Sequence, residues 1–291
     1  MDNMQIKIAA ESNIGLRRNN NEDRFAICPS LAAAQWNGTC AETSLPDRTD
    51  GAMIVMADGM GDMNAGEVAA DITIQTFIKY FSPGYMDPSV VESDDNGLQY
   101  LKVVSGTADR RIKQRVYEDP TTWGMGTTLV AAWIYDKKAH IAWCGDSRAY
   151  LYNPQMGLKQ LTRDHLYIQE LLDAGRIDAL HAAMHPGRKR ITRYLGDDRQ
   201  NVRPDTTLLP LATGDTLMLC TDGLTELLDD NSIAQLLLQY DAKPDEACSA
   251  LIKAAIEAGG NDNITVAILH VEKGGIENAS RENTEHAPFF G

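Results

Sequence analysis

The chain begins with short runs in which apolar and polar residues alternate, as they do in half-buried β-strands. The segments QIKIAAES and DRFAICP have this pattern and are separated by an asparagine-rich turn. Residues 34–51 are polar and turn-rich, which predicts a surface hairpin loop. A continuous apolar strand over 52–57 then runs directly into Asp58. Apolar residues at helical spacing predict helices over 67–81 and 97–117.

The middle of the chain has the pattern of an antiparallel meander. Its β-rich runs, TTLVAAWIY, KAHIAWCG, RAYLYN and LKQL, are separated by the turns DKK, GDS and PQMG. Residues 165–198, called the flap below, interrupt this pattern with a helical run and a polar stretch, which predicts a mobile insertion. Strands and helices then resume, and polar residues 273–291 predict a flexible tail. Antiparallel strands with helices grouped between them favour an α+β layered domain over residues 1–272.

Composition and charge narrow the classes of function. The 291 residues are 43% hydrophobic and 23% charged, as in ordinary globular proteins. The formal net charge of −14 argues against nucleic acid and anionic membrane as partners, because both attract basic surfaces. No apolar run has the length of a signal peptide or a membrane span, and the five cysteines contain no CxxC pair. We therefore expect a cytoplasmic protein with reduced thiols.

Three aspartates lie next to turns at the tips of apolar strands. Asp58 follows the run AMIVMA, and Asp222 follows TLMLCT. Asp262 lies in the turn GGNDN, directly before ITVAILHV. Carboxylates that converge repel one another unless cations neutralise them, and oxygen ligands suit Mg²⁺ or Mn²⁺. An Asp-Gly pair is also a common turn, so these positions alone support a metal site and a set of turns about equally.

Eight motifs along the chain resemble, in order, those of the metal-dependent protein phosphatases of type 2C, the PPM family, in its bacterial form. They are RRNNNED, MADGMG, AGE, GMGTT, CGDSRAY, LTRDH, CTDGL and GGNDNITV, and the resemblance covers about Ile6 to Val271. It implies a four-layer αββα sandwich, in which helices flank two antiparallel β-sheets and a metal centre lies in a cleft at one end. It also implies hydrolysis of phosphoserine and phosphothreonine in proteins by a water held between two Mn²⁺ or Mg²⁺ ions.

The resemblance assigns roles to the metal-site residues. Asp58 bridges the two ions, and Gly59 offers its backbone carbonyl to one of them. Asp222 and Asp262 complete the site of the other ion. Asp23 belongs to the same set and orients metal-coordinated water.

Two further residues are assigned from the first motif. Arg18 is expected to bind the substrate phosphate through its planar guanidinium group, and Glu22 is expected beside the metal site. The alternatives are an exposed loop arginine and a solvated acid. Other motif residues are interpreted as structural: Asp146 and Arg148 stabilise a tight turn, and Thr127 and Thr128 pack or cap at a strand start.

The sequence departs from the family pattern at three places. Met60 replaces the histidine that many relatives carry after the Asp-Gly pair, so the sequence names no general acid. Trp123 replaces an aspartate that serves a third metal, which makes a third ion doubtful unless Glu118 or Asp119 substitutes. Residues 62–64 alter the usual glycine-rich stretch.

Two other functions remain open from the sequence. A pseudophosphatase with the same fold would act as a binding or sensing module, although the core aspartates are retained. Another two-metal phosphohydrolase, such as a nuclease or a small-molecule phosphatase, is the second alternative, and the acidic composition disfavours the nuclease. Phosphorylated proteins are the expected partners, namely a serine/threonine kinase or the substrates of one.

Overall fold

The protein is described by a computed structural model that covers residues 4–36, 40–45, 51–61 and 65–272. Its strands are β1 (Met4–Asn13), β2 (Asp23–Cys28), β3 (Cys40–Leu45), β4 (Ala52–Met60), β5 (Gly126–Thr127), β6 (Leu129–Tyr135), β7 (Lys138–Cys144), β8 (Arg148–Asn153), β9 (Gly157–Gln160), β10 (Asp205–Pro210), β11 (Thr216–Cys220) and β12 (Ile264–Glu272). Its α-helices are α1 (Gly66–Tyr80), α2 (Asp94–Glu118), α3 (Tyr167–Asp173), α4 (Ala179–Met184), α5 (Asp222–Thr225), α6 (Asp230–Gln239) and α7 (Pro244–Glu257).

The strands form two antiparallel sheets. In the first sheet the order is β3-β1-β12-β11-β8-β9, and in the second it is β10-β7-β6-β4-β2, with β5 paired to β4. Strand β4 is buried on both faces, which explains its continuous apolar run. Met53 and Val55 contribute to the core beneath α1 and α2, whereas Ile54 and Met56 contribute to the core between the sheets.

A third apolar cluster lies between the first sheet and helices α6 and α7. It includes Met218 and Ile268 from the sheet, and Leu237 and Leu251 from the helices. Three apolar layers therefore separate four layers of secondary structure. The predicted α+β sandwich, with two antiparallel sheets between helices, is confirmed.

Helix α2 begins three residues earlier than the predicted start at residue 97. The side chain of Ser93 caps it by accepting a hydrogen bond from the backbone N–H of Asn96 at 3.1 Å. Asp94 and Asp95 lie in the first turn, where their negative charges interact favourably with the positive end of the helix dipole. Local capping thus extends the helix by three residues beyond the part that apolar spacing predicts.

Two sequence predictions are wrong in part. The predicted hairpin loop over 34–51 contains strand β3, which pairs with β1 at the edge of the first sheet, while residues 37–39 and 46–50 lie outside the described residues. The predicted meander is divided between the sheets, because β6 and β7 belong to the second sheet but β8 and β9 belong to the first. Residues 145–147 connect β7 in the second sheet to β8 in the first. The prediction failed because strand periodicity does not specify which sheet a strand joins.

Residues 62–64 and the predicted tail over 273–291 lie outside the described residues. The flap contains α3 and α4, and the chain then returns to the second sheet through β10, which pairs with β7. Among the residues that the structure describes, no helix has the length and apolar character needed to cross a bilayer.

Candidate metal centre

The predicted aspartates lie at adjoining ends of strands from both sheets. Asp23 and Asp58 are directly opposite each other in the β2–β4 pair of the second sheet. Asp222 begins α5 after β11, and Asp262 precedes β12, the neighbour of β11 in the first sheet. The site is therefore assembled where the two sheets meet, from residues that are far apart in the sequence.

The glycines of the two Asp-Gly pairs allow close backbone packing around the site. A Cβ atom on Gly223 would lie 2.0 Å from the backbone oxygen of Asn263, so the turns that carry Asp222 and Asp262 are in direct contact. A Cβ atom on Gly59 would lie 2.3 Å from the backbone oxygen of Gly66 at the start of α1. Neither glycine has a positive φ angle, so the backbone conformation does not require glycine at these positions. Glycine is required because a side chain would not fit.

Asn263 joins the first motif to the Asp262 turn. Its Oδ1 accepts a hydrogen bond from the backbone N–H of Glu22 at 2.8 Å. Its Nδ2 donates to the backbone oxygens of Ile14 and Asn20, each at 3.0 Å. The sequence analysis assigned no role to this asparagine, although it lies in the GGNDN turn beside a predicted ligand.

Asp23 is held by two buried threonines. Its Oδ2 accepts hydrogen bonds from Thr221 Oγ1 at 2.9 Å and from Thr265 Oγ1 at 2.6 Å. The residue is only 3% exposed, and its Oδ1 has no hydrogen-bond partner among the described residues. One carboxylate oxygen is therefore fixed by the protein, and the other is available for a ligand.

The carboxylates raise one another's pKa values. Burial is the main cause at Asp58, where Asp23, Asp222 and Asp146 raise the pKa further. Burial, with the charges of neighbouring acids, raises the pKa of Asp23 to about 7 and that of Asp222 to about 6. Such mutual repulsion places these acids in one electrostatic cluster that lacks a sufficient countercharge.

Asp146 joins this cluster, which sequence analysis missed. It is 7% exposed, its Oδ1 has no hydrogen-bond partner among the described residues, and burial raises its pKa to about 8, with Asp222 adding to the effect. In the sequence it follows a β-rich run and lies next to a glycine, as Asp58 and Asp222 do, and that shared setting is the signal that identifies it. The guanidinium of Arg148 binds both carboxylate oxygens of Asp164, and its stabilisation of the turn stays a prediction.

The residues present fit divalent metal ions. Four buried carboxylate oxygens lack hydrogen-bond partners in the described part of the chain, namely Glu67 Oε2 at the start of α1 and, in the aspartate cluster, Asp23 Oδ1, Asp146 Oδ1 and Asp222 Oδ1. Oxygen donors of this kind suit Mg²⁺ and Mn²⁺, and cations would relieve the repulsion. Within the described ranges, no three or more His, Cys, Asp or Glu side chains are grouped so that they could hold a metal ion. Water and backbone oxygens would complete the coordination, as is usual for Mg²⁺.

Arg18 contacts a predicted metal ligand. Its Nη2 donates to Asp262 Oδ2 at 2.6 Å, and the two side chains are 52% and 25% exposed. The hydrogen bond to Asp262 is the main reason that the pKa of Arg18 is raised. Glu22 lies nearby, and burial followed by the charge of Glu67 raises its pKa. The structure thus brings both residues of the first motif to the aspartate cluster.

Two of the departures from the family pattern lie within the described residues. Met60 pairs with Gly126 in the short β4–β5 ladder. Trp123 is 74% exposed and follows a 3-10 turn over 120–122. Asp119 caps that turn through hydrogen bonds from Thr121, which commits its carboxylate to local structure.

Comparisons with known proteins identify the family of the chain. The family model described as "Protein phosphatase 2C" matches residues 87–264. The serine/threonine phosphatase stp of Listeria monocytogenes is 33% identical over 217 residues, which are 75% of this chain and 83% of that protein.

Solved structures give the same result. The serine/threonine phosphatase of S. agalactiae has a TM-score of 0.78 at 30% identity, and the match covers 92% of this chain and 100% of that chain. The catalytic domain of the phosphatase PstP, in complex with two manganese ions, has a TM-score of 0.72 at 29% identity, with 93% and 100% covered. The chain therefore belongs to the protein phosphatase 2C family of serine/threonine protein phosphatases.

Proposed function

We propose that the aspartate cluster binds two Mn²⁺ or Mg²⁺ ions and that the chain uses them to hydrolyse phosphoserine and phosphothreonine in proteins. The observation that carries this proposal is the set of buried, unpaired carboxylate oxygens at the junction of the two sheets. Such a cluster is electrostatically unfavourable by itself, and a pair of divalent cations would stabilise it. The PstP structure with two manganese ions supports the choice and number of ions.

Each site residue then has a proposed role. Asp58 would contact both ions with the backbone carbonyl of Gly59 beside it, and Asp222 and Asp262 would hold one of them. Asp23, fixed by Thr221 and Thr265, would hold water on the ions. When bound, two divalent ions activate water as a nucleophile and neutralise charge that develops on the phosphoryl group.

Arg18 would orient the phosphate. Its guanidinium lies beside the cluster and is about half exposed, so it is accessible to a substrate. A planar guanidinium donates two parallel hydrogen bonds to phosphate oxygens, which lysine cannot do. Glu22 lies next to Asp23 and would limit the orientations of water near the ions.

A third ion would depend on Asp146 and Asp222. Trp123 supplies no oxygen ligand, and Asp119 is engaged in capping. We therefore expect a third ion to bind more weakly than the other two.

The partners are proposed from the family. Phosphoproteins are its substrates, and we propose that this chain acts on a serine/threonine kinase or on the substrates of that kinase. Four of the cysteines, Cys28, Cys144, Cys220 and Cys248, are buried in the apolar core, as is typical of reduced thiols, which supports a reducing compartment such as the cytoplasm. The net charge of −14 argues against nucleic acid and membrane surfaces.

An aryl phosphate assay with Mn²⁺ tests the mechanism. We expect turnover that chelator abolishes and Mn²⁺ restores, and we expect Asp58→Asn to lower kcat/KM by more than about 100-fold, because it removes the proposed bridging carboxylate. Asp198→Asn, at an exposed aspartate outside the site, is the matched control and should leave kcat/KM unchanged. Turnover that persists in chelator would exclude a metal mechanism.

Phosphopeptides separate this function from the alternatives. Hydrolysis of phosphoserine and phosphothreonine peptides supports the protein phosphatase. Activity on small phosphate esters alone would favour a small-molecule phosphatase. A folded protein that binds Mn²⁺ but hydrolyses neither substrate would be a pseudophosphatase, which retention of Asp23, Asp58, Asp222 and Asp262 argues against.

A further inference from the structure

Three motifs without an assigned catalytic role, GMGTT, CGDSRAY and LTRDH, are in contact with one another next to Asp58. The LTRDH motif contributes His165, which is 7% exposed and lies where the flap leaves the first sheet. The backbone N–H of Gly145 donates to His165 Nδ1 at 3.0 Å, and the backbone N–H of His165 donates to the Gly145 oxygen at 2.9 Å. This reciprocal pair fastens the 145–147 turn, which carries Asp146.

Gly145 allows the turn to pack tightly. Its φ angle is +115°, and a Cβ atom there would lie 2.7 Å from the Cβ of Thr128. The turn therefore lies directly against the GMGTT motif. Any shift of Gly145 would be passed to Thr128 by contact.

Hydrogen bonds continue from this turn to Asp58. Ser147 Oγ and Thr128 Oγ1 are 2.7 Å apart, and Thr128 Oγ1 accepts the backbone N–H of Asp58 at 3.0 Å. The backbone N–H of Thr128 donates to the oxygen of Asp58 at 2.9 Å. The turn that His165 holds is thus connected to the residue proposed to bridge the ions.

The other side of the His165 ring contacts the flap and β10. Its Nε2 lies 3.1 Å from Asp205 Oδ2, and Asp205 Oδ1 also accepts from Arg193 at 2.7 Å. The backbone oxygen of His165 accepts from Thr192 at 2.8 Å. Because a backbone N–H can only donate, Nδ1 carries no proton and Nε2 donates to Asp205. Burial lowers the pKa of His165, which is consistent with this neutral ring.

We propose that His165 is a positioning residue for the phosphatase reaction: by accepting the Gly145 N–H at Nδ1, it fixes the 145–147 turn so that Asp146 and Asp58 are held in register for metal binding. This role rests on the proposed function of the cluster. Residues that orient metal ligands commonly change metal affinity or activity by about 10–100-fold when they are replaced.

Isosteric replacements test the role of Nδ1. His165→Ala removes the acceptor, His165→Asn places an amide oxygen near the position of Nδ1, and His165→Gln places its amide near the position of Nε2. Mn²⁺ affinity is measured by titration calorimetry on each folded variant, with kcat/KM for an aryl phosphate alongside. We expect about a 10-fold loss of Mn²⁺ affinity in the alanine and glutamine variants and recovery to within about threefold in the asparagine variant.

A double variant tests whether the contacts form one path. Ser147→Ala breaks the link to Thr128 but keeps the Gly145–His165 bond. If both act on the same turn, the double variant with His165→Ala should lose little more Mn²⁺ affinity than the worse single variant. Losses that multiply would show independent effects and would overturn the proposed path.

His270 is the matched control. It is also buried and hydrogen-bonded, to Thr216 Oγ1 at 2.9 Å, but it lies toward the end of β12 that is distant from Asp262. His270→Ala should leave Mn²⁺ affinity unchanged. Wild-type Mn²⁺ affinity in His165→Ala, or an asparagine variant as weak as alanine with an unchanged melting temperature, would overturn the role of His165. Failure of the wild-type protein to bind Mn²⁺ would instead reject the proposed function.

Discussion

At the residue scale, the site is built from acids that the protein buries without matching cations. Asp23 illustrates the arrangement, because two threonines hold one of its oxygens while the other has no partner among the described residues. Burying an unpaired polar atom costs stability, so such atoms mark positions for a ligand. Arg18 is a basic group that reaches the cluster, where it donates a hydrogen bond to Asp262.

Replacement of Arg18 tests phosphate binding. We predict that Arg18→Ala raises KM for a phosphopeptide more than it lowers kcat, because the guanidinium contributes to substrate binding in the ground state. Arg18→Lys should recover only part of the loss, since lysine keeps the charge without the planar pair of donors. Steady-state kinetics of the Mn²⁺-loaded protein measure both effects.

Arg17 provides the control for this prediction. It is the adjacent exposed arginine, and Arg17→Ala should leave KM unchanged. Thermal unfolding of Arg18→Ala should differ little from wild type, because exposed ion pairs contribute about 0–1 kcal/mol. Equal KM values for the two alanine variants would contradict the assignment of Arg18 to the phosphate.

At the scale of elements, strand ends and their turns bring the ligands together. Strands β2 and β4 supply Asp23 and Asp58 from one sheet, and the ends beside β11 and β12 supply Asp222 and Asp262 from the other. The turns must touch for the acids to converge, and glycine makes this possible. A side chain at Gly223 would separate the turns that carry Asp222 and Asp262.

Two glycines give a matched pair of substitutions. Gly223→Ala should destabilise the protein and weaken Mn²⁺ binding, because the new Cβ would lie 2.0 Å from the backbone oxygen of Asn263. Gly106→Ala, inside α2, meets nothing closer than Arg110 Nη1 at 3.8 Å and should stabilise the protein by about 0.5–1 kcal/mol through helix propensity. Chemical denaturation measures both changes, and a harmless Gly223→Ala would disprove the tight contact.

At the scale of the whole molecule, the fold brings repelling charges together, and its stability should depend on pH and metal. Burial and neighbouring acids raise the pKa of Asp23 to about 7 and that of Asp146 to about 8. In the unfolded chain these acids titrate near 3.9. The folded, metal-free protein therefore binds more protons than the unfolded chain at neutral pH.

We predict that the melting temperature of the chelated protein falls as pH rises from about 6.5 to about 8.5, because stabilisation by protonated carboxyls is lost through that range. The buried histidines His140, His165 and His270 have lowered pKa values and act in the opposite direction, but only below about pH 6.5, where the unfolded histidines become charged. Mn²⁺ should flatten the dependence, because cations replace the protons.

Asp58→Asn is the control for this pH effect. Removal of one repelling charge should reduce the slope of melting temperature against pH in chelator. Scanning calorimetry in buffers from pH 6.5 to 8.5 measures it. A melting temperature of the chelated wild type that does not change across this range would show that the carboxylates are not mutually repelling.

The types of most elements and the identity of the candidate ligands follow from the amino-acid sequence. The apolar run before Asp58, the helical spacing over 67–81 and the order of the motifs are all local properties, so they can be read without coordinates. The partition of strands between the sheets was not readable, because a strand's period specifies its faces but not its neighbours. The same limit explains why the predicted meander is divided between the two sheets. Strand β3 was missed because it lies in a polar, turn-rich segment, whose composition predicts a loop.

Which side chains meet depends on the three-dimensional fold. Arg18 and Asp262 are separated by 244 positions and Asp23 and Thr265 by 242, yet each pair is hydrogen-bonded. The fold also brings Asp146 into the aspartate cluster and packs His165 against the turn that carries Asp146. From the local sequence, Asp146 belongs only to a turn and His165 only to the start of the flap. Local patterns report on a residue's own segment, but the charge, burial and hydrogen bonds of a site arise from segments that only folding brings into contact.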